Sequence, residues 1–359
     1  MGSVYAHVPF CSSRCHYCDF PTDASTPPDT DAWLDALAME LEAVRREGLI
    51  HLGPTLRTLY VGGGTPSVLQ PRAMRGLTEF LGPARLAGGE TEWTAEANPE
   101  TFTPELASEW RHAGVNRISL GVQSFQSSVL GWMGRGHGPD GARSCVDVAR
   151  WAGYTNISVD LIFGLPRGLK RDLEADLEVL LDLEVSHLSL YGLSVEPPTP
   201  LGKAVAAGME VPSTDEEYER EYLRICAVLA GAGYRQYEVS SFALPGHESR
   251  HIRVYWRLCP YLGLGNGAHS YLHPRRSWNL REWRGYQESA RAGELPRAAE
   301  EVLTEEQSRL ERVWLGLRTD EGLERASLTP EAEERVRVWI QRGWARDYSE
   351  AVRLTPEGW

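Results

Sequence analysis

The sequence predicts an α/β fold: a partial (β/α)6 barrel of the TIM-like kind, followed by a smaller C-terminal α+β domain. Three observations predict it. Strand-like and helix-like segments alternate six times between Val4 and Gly231, and such repetition implies parallel strands joined by right-handed crossovers. The polar residues able to do chemistry fall at the C-terminal ends of those strands, the edge where parallel α/β folds bind ligands. Beyond Gly231 the alternation stops, which sets the expected boundaries at 1–232 for the barrel and 233–359 for the remainder. A chain of 359 residues also exceeds the usual size of a single core.

The first strand, Val4 to Phe10, runs into Cys11-Ser-Ser-Arg-Cys15-His16-Tyr17-Cys18. Thr30 or Asp31 is the expected cap of a helix whose apolar positions Trp33, Leu34, Leu37, Leu41 and Val44 recur at helical spacing. A strand from Leu56 to Val61 enters the turn Gly62-Gly63-Gly64-Thr65. Pro71 opens a helix ending near Leu81, and Glu92 to Ala97 is the third strand. There follow a helix from Thr103 to Ala113, a strand from Arg117 to Gly121, one helical stretch from Ser127 to Ala152 and a strand from Asn156 to Ile162. A helix from Leu169 to Leu183, a strand from Ser186 to Tyr191 and a helix from Ser213 to Gly231 complete the series. Residues 233–297, rich in Tyr, Gly, His and Trp, form the expected ligand-binding part of the C-terminal region. A helix from Glu300 to Arg318 leads a small helical or winged-helix-like module over 298–359.

A net charge of -13 argues against nucleic acid as a partner. Met1-Gly-Ser-Val-Tyr5 lacks the basic start and apolar run of a signal peptide, and no apolar stretch is long enough to span a bilayer, so a cytoplasmic location is expected. Six cysteines, three clustered and three dispersed at Cys145, Cys226 and Cys259, do not make a disulfide framework in a chain this long.

The C-x3-C-x2-C spacing crowds three thiols onto one loop, where thiolates repel one another unless a metal centre neutralises them. Two centres fit: zinc, with His7 or His16 as fourth ligand, or a [4Fe-4S] cluster with one iron left open. The glycine turn lets backbone groups approach a ligand closely. Glu96, Gln123, Arg135 and Asp160, at successive strand ends, supply charges and hydrogen bonds around the same mouth.

Taken together, the cysteine spacing, the aromatic Tyr17 before the last cysteine and the glycine turn after the second strand resemble the radical SAM superfamily. In that family an open iron of the cluster chelates S-adenosylmethionine (SAM), whose one-electron cleavage gives methionine and a 5′-deoxyadenosyl radical. The resemblance implies a [4Fe-4S] cluster on Cys11, Cys15 and Cys18. It further implies SAM contacts from Tyr5, Tyr17, Gly63, Gly64, Thr65, Glu96, Gln123, Arg135 and Asp160, and an electron donor. It is narrower still for the oxygen-independent coproporphyrinogen oxidase-like branch, and within it for the heme chaperones. Tyr5-Ala-His-Val-Pro-Phe-Cys11, Gly63-Gly-Thr-Pro-Ser67, Glu96-Ala-Asn-Pro99, Gly121-Val-Gln-Ser-Phe125, Gly134-Arg-Gly-His137, Asp160-Leu-Ile-Phe-Gly-Leu-Pro166 and Tyr261-Leu-Gly-Leu-Gly265 carry it.

Two departures set the chain apart from the decarboxylating oxidase: Phe20 stands where that enzyme has a fourth cysteine, and ten residues precede Cys11 where it has an extension. Heme chaperones share both. They also carry H-N-x-x-Y-W, here His251-Ile-Arg-Val-Tyr255-Trp256, with Ile252 in place of the asparagine. The resemblance therefore implies heme bound by His251, Tyr255 and Trp256 and passed to a heme-acceptor protein, with room for dimerisation and for peripheral contact with membrane-bound acceptors. In the plainer reading of that triplet, Tyr255 and Trp256 pack the C-terminal region onto the barrel.

Overall fold

A computed structural model describes residues 1–86 and 89–359. Six βα units are present: β1 (Ser3–Val8), α1 (Thr30–Glu47), β2 (Thr58–Gly63), α2 (Ala73–Leu81), β3 (Glu92–Ala97), α3 (Pro104–Ala113), β4 (Arg117–Gln123), α4 (Ser127–Met133), α5 (Pro139–Trp151), β5 (Asn156–Phe163), α6 (Leu173–Asp182), β6 (His187–Gly192), α7 (Pro200–Ala206) and α8 (Asp215–Gly231). Strands β1 to β6 lie side by side, all parallel, and the sheet remains open. The partial barrel expected from the alternation is the fold.

Period-2 alternation divides each strand between two environments. Val4, Ala6 and Val8 of β1, Leu59 and Val61 of β2, Trp93 and Ala95 of β3 and Ile118 and Leu120 of β4 face the helices and form one continuous core. Helix α1 closes that core with Trp33, Leu37, Leu41 and Val44, each worth roughly 1.5–3 kcal/mol on burial. The opposite face is polar. Tyr60 pairs in register with Thr94, Glu96 with Ser119, Ser119 with Ser158, and Asp160 with Ser189, so hydroxyls, carboxylates and the buried Arg117 line the concave side. A lumen of this kind is a ligand cavity whose polar groups need partners.

Several expectations are corrected. The cap of α1 is Asp29, whose carboxylate accepts from Ala32 N at 3.0 Å, while Thr30 Oγ1 instead accepts from Gln70 N. The single helix expected over 127–152 is two, broken at Gly134, which adopts φ 72°; the break frees Arg135 and His137 for the site. The helix expected from Glu300 begins at Glu305, because Thr304 and Gln307 form a capping box there and the preceding residues are a strand.

After α8 the alternation stops but the sheet does not. β7 (Arg235–Glu238) and β8 (Ser241–Ala243) add antiparallel beyond β6, and after α9 (Arg250–Trp256) the short β9 (Leu262–Leu264) joins the far edge, parallel to β1. Residues 233–264 thus extend the main sheet at both edges. A second, antiparallel sheet of β10 (His269–Leu272), β11 (Arg275–Asn279) and β12 (Arg297–Val302) follows, with α10 (Trp283–Arg291) packed on α1. The chain closes with α11 (Glu305–Leu317), β13 (Leu323–Glu324), α12 (Pro330–Gln341), β14 (Ala345–Asp347) and β15 (Ala351–Leu354), a winged-helix-like arrangement with strand order β13-β15-β14. Among the described residues no helix is long and apolar enough to cross a membrane.

Candidate cofactor site

The cysteine loop is pinched shut at its base. Asp23 N donates to Pro9 O at 2.7 Å and Cys11 N to Asp23 O at 3.3 Å, while the Asp23 carboxylate accepts from Ser25 N at 2.8 Å. Cys11, Cys15 and Cys18 are unbridged and half-buried within it. Burial pushes the Cys11 and Cys18 thiols above their ordinary range, with the neighbouring thiols adding to the shift. Three thiolates therefore require a cationic centre.

Geometry separates the two centres. His7 is buried with both ring nitrogens engaged, Nδ1 accepting from Tyr5 OH at 2.9 Å and Nε2 donating to Pro21 O at 3.1 Å, and burial lowers its pKa to about 4. The His16 ring packs edge-on against Trp132 at 4.3 Å. Zinc thus loses its histidines. Among the described residues no three His, Cys, Asp or Glu side chains converge as one metal ion demands; a four-iron cluster, which binds each thiolate at a different corner, has no such requirement. The all-cysteine donor set fits a cluster.

The glycine turn lies directly against this loop. Gly64 N donates to Val8 O at 2.7 Å and Thr65 N to Phe10 O at 2.8 Å. A Cβ on Gly64 would stand 2.5 Å from Phe10 O and 2.8 Å from Val8 O, both backbone atoms. Gly64→Ala is accordingly expected to cost on the order of 3 kcal/mol and to lower iron loading, read by thermal unfolding and iron content; wild-type values for both would contradict the fit. Gly63, at φ 109°, turns its N–H onto Glu96 Oε2 at 3.0 Å.

From Cys11 a chain of hydrogen bonds runs across the strand ends. Thr65 Oγ1 lies 3.5 Å from Cys11 Sγ, Asn98 Nδ2 donates to Thr65 Oγ1 at 3.2 Å, and Arg135 Nη2 donates to Asn98 Oδ1 at 2.8 Å and to Gly121 O. Glu100 completes it: against its burial, the His137 hydrogen bond and the Arg135 charge hold its carboxyl down at about 2. Arg135 Nε is buried without a protein partner, a donor left for a ligand. Glu96 accepts from Tyr60 OH at 2.7 Å, yet burial pushes it up to about 7. Asp160, held by Ser119 Oγ at 3.1 Å, is likewise raised by burial.

Gln123 adopts φ 71° at a register shift between β4 and β5, a strained conformation for a non-glycine residue that clusters at binding sites. The loop after it is anchored by Asp176 of α6, which accepts from Phe125 N at 2.9 Å and pairs with the buried Arg171 at 3.0 Å. Tyr17 rests on the apolar cluster of Val129, Met133, Ile162 and Leu165. Carboxylates, one guanidinium and an unused donor thus surround the open side of the thiol loop, a set matched to a zwitterion with ribose hydroxyls.

The structure brings Cys11, Tyr17, Gly63, Gly64, Thr65, Glu96 and Arg135 to this one mouth, with Tyr5 beneath it through His7. Asn98, the link between Thr65 and Arg135, is the site residue that sequence reasoning passed over; its position two residues after Glu96 on the polar face was the available signal. His251 lies elsewhere. It is fully buried on the concave face of the sheet, Nδ1 bonded to Thr58 Oγ1 and Nε2 to Tyr255 OH, both at 2.8 Å. Trp256 lies under the Arg318 guanidinium, 4.3 Å from the ring centroid. His251 therefore offers no free nitrogen to a metal, and the packing reading of this triplet describes what these side chains do.

The radical SAM superfamily model matches residues 5–180. The chain is 36% identical over 360 residues to the heme chaperone HemW of Mycobacterium tuberculosis, covering 99% of this chain and 91% of that protein. It is 35% identical over 327 residues to HemW of Bacillus subtilis, covering 90% and 85% respectively. In fold it is similar to coproporphyrinogen III oxidase (HemN) of Escherichia coli, described as a radical SAM enzyme, with a TM-score of 0.80, 21% identity and coverage of 99% of this chain and 87% of that one. With cysteine loop, glycine turn and strand-end ligands in the arrangement described above, the chain belongs to the radical SAM superfamily and, within it, to the HemW family that it matches along nearly its whole length.

Proposed function

We propose that this protein is a heme chaperone: it holds a [4Fe-4S] cluster and SAM in the barrel, binds heme through the C-terminal region, and delivers it to a heme-requiring acceptor. The observation that carries the reading is the identity of 35–37% to HemW heme chaperones over nine-tenths or more of the chain. In this reading residues 1–232 bind cluster and SAM, and 233–359 serve heme and acceptor. When bound, the cluster supplies an electron and a Lewis-acidic iron to SAM.

The chain's own residues do the rest. Cys11, Cys15 and Cys18 anchor the cluster; Gly63, Gly64 and Thr65 offer backbone to the methionyl group; Glu96 faces its ammonium and Arg135 its carboxylate; Gln123 and Asp160 take ribose hydroxyls, and Tyr5 and Tyr17 close the sides. The protein works in the cytoplasm, takes its electron from a donor protein, and meets membrane-bound acceptors peripherally or as a dimer.

Phe20 supports carriage over decarboxylation. Its side chain is 62% exposed at the position of the oxidase's fourth cysteine, so it adds an apolar surface at the loop and no ligand. Hemin titrated into anaerobically reconstituted protein should give a saturable Soret change, and the loaded protein should restore the spectrum of a heme-depleted acceptor. A folded, cluster-loaded sample with no saturable change, or one that decarboxylates coproporphyrinogen with SAM and reductant, would overturn it.

A further inference from the structure

With His251 closed to metals, the heme site has to lie elsewhere in the C-terminal region. A groove of about 380 Å³ opens between the β10–β11 hairpin on one side and α9, Tyr261 and α11 on the other. Register sets its first wall: His269 pairs with Trp278 and Tyr271 with Arg276 across the hairpin, so all four side chains share one face. The second wall carries Tyr255 and Tyr261, their rings edge to face at 4.7 Å, with Leu315 of α11 beside them. Aromatic walls of this kind suit a broad, flat, apolar ligand.

Within this groove His269 differs from the other histidines of the region. His251 has both nitrogens committed, and His273 Nδ1 shares the Tyr271 hydroxyl at 3.3 Å. The His269 side chain is exposed, its ring stacked on Trp278 at 5.7 Å and 24°, and among the described residues it forms no hydrogen bond. Burial and the charges of Arg276 and Arg281 lower its pKa, so the neutral imidazole with a free lone pair prevails at pH 7. The same two guanidiniums give the groove a positive rim for anionic groups, although Arg276 is shared with Glu301 at 3.1 Å and Glu311 at 2.7 Å.

The groove is also joined to the cofactor mouth. Tyr255 OH bonds His251, whose ring lies 5.1 Å from Tyr60, and Tyr60 OH donates to Glu96. Arg281 donates to Asp19 O at 2.7 Å, on the cysteine loop itself.

We propose that heme docks in this groove, with the His269 imidazole as an axial ligand to its iron, Trp278 fixing the plane of that imidazole, and Tyr255 and Tyr261 packing against the macrocycle. This rests on the heme-carrier reading above and names its site. An exposed, unpaired imidazole on an aromatic wall beside a cationic rim is the arrangement that an iron macrocycle with carboxylate side chains requires.

The test titrates hemin and, separately, iron-free protoporphyrin IX into the full-length, cluster-reconstituted protein and its His269→Ala and His269→Gln variants. Both variants should bind hemin at least tenfold more weakly with an altered Soret band, and both should bind the iron-free porphyrin within about twofold of wild type, because packing is retained and ligation is lost. Added imidazole should restore the wild-type hemin spectrum of His269→Ala. Wild-type hemin affinity and spectrum in both variants would overturn the site while leaving the carrier reading in place. Failure of wild-type protein to bind hemin would overturn both.

Discussion

Replacing Cys11, Cys15 and Cys18 together by alanine is expected to reduce iron and acid-labile sulfide after anaerobic reconstitution from about four of each per chain to background, with far-UV circular dichroism close to wild type. The spectrum should survive because the loop contributes no helix or strand between Val8 and Thr30; its closure rests on Asp23 N to Pro9 O and Cys11 N to Asp23 O, which involve main-chain atoms alone. Cluster loss should nevertheless lower thermal stability, since a group bound only by the folded state at one hundred times its dissociation constant adds about 2.7 kcal/mol. His16→Ala serves as the discriminating control. A cluster leaves its iron and sulfide unchanged, whereas a zinc site using that imidazole would lose metal. Retention of iron and sulfide by the triple variant would sink the assignment of the loop.

Much of this was legible in the chain because parallel βα repetition fixes both the fold and the edge where ligands bind. The third strand, Glu92 to Ala97, coincides with its expected bounds, since alternation there is strict and turn residues flank it. What stayed hidden depends on partners remote in sequence. Nothing local marks Leu262 to Leu264 as a ninth strand on β1, because three residues of Leu and Gly read equally well as a loop. The H-x-x-x-Y-W spelling suggested a heme ligand, but an imidazole's availability depends on what its nitrogens touch, and Thr58, 193 residues away, occupies one of them. The reverse holds for His269, whose groove exists only once a hairpin, α9 and α11 are assembled. The polar lumen was present in the sequence as hydroxyl, carboxylate and guanidinium side chains at every second strand position, a signal weaker than the motifs beside it.

Glu40 is the clearest instance of such a remote dependence, and its removal should carry the largest stability effect. It sits on the apolar stripe of α1, between Leu37 and Leu41, and is 2% exposed. Its carboxylate accepts from Gly265 N at 2.8 Å, from Tyr286 OH at 2.6 Å and from Asn279 Nδ2. Three donors from three segments of the C-terminal region therefore converge on one helix of the barrel. The neighbouring Asn266 donates to Pro21 O at 2.8 Å, so the same clamp steadies the far leg of the cysteine loop. Glu40→Leu strands all three donors and should destabilise the protein by about 3–5 kcal/mol, seen as a lower urea midpoint and reduced cluster retention. Burial raises the Glu40 pKa to about 7 in spite of the three donors. A carboxyl that holds its proton more tightly folded than unfolded favours the fold at low pH, and its contribution is lost as pH rises from about 4.5 through 7, some 3 kcal/mol in all. Glu40→Gln cannot titrate, whereas every other group is common to both proteins. The stability difference between wild type and Glu40→Gln should therefore favour wild type most near pH 4.5, fall steadily to pH 7 and be flat above pH 8. A difference independent of pH, or one that grows with pH, would show that the three donors outweigh burial and hold this carboxylate ionised throughout.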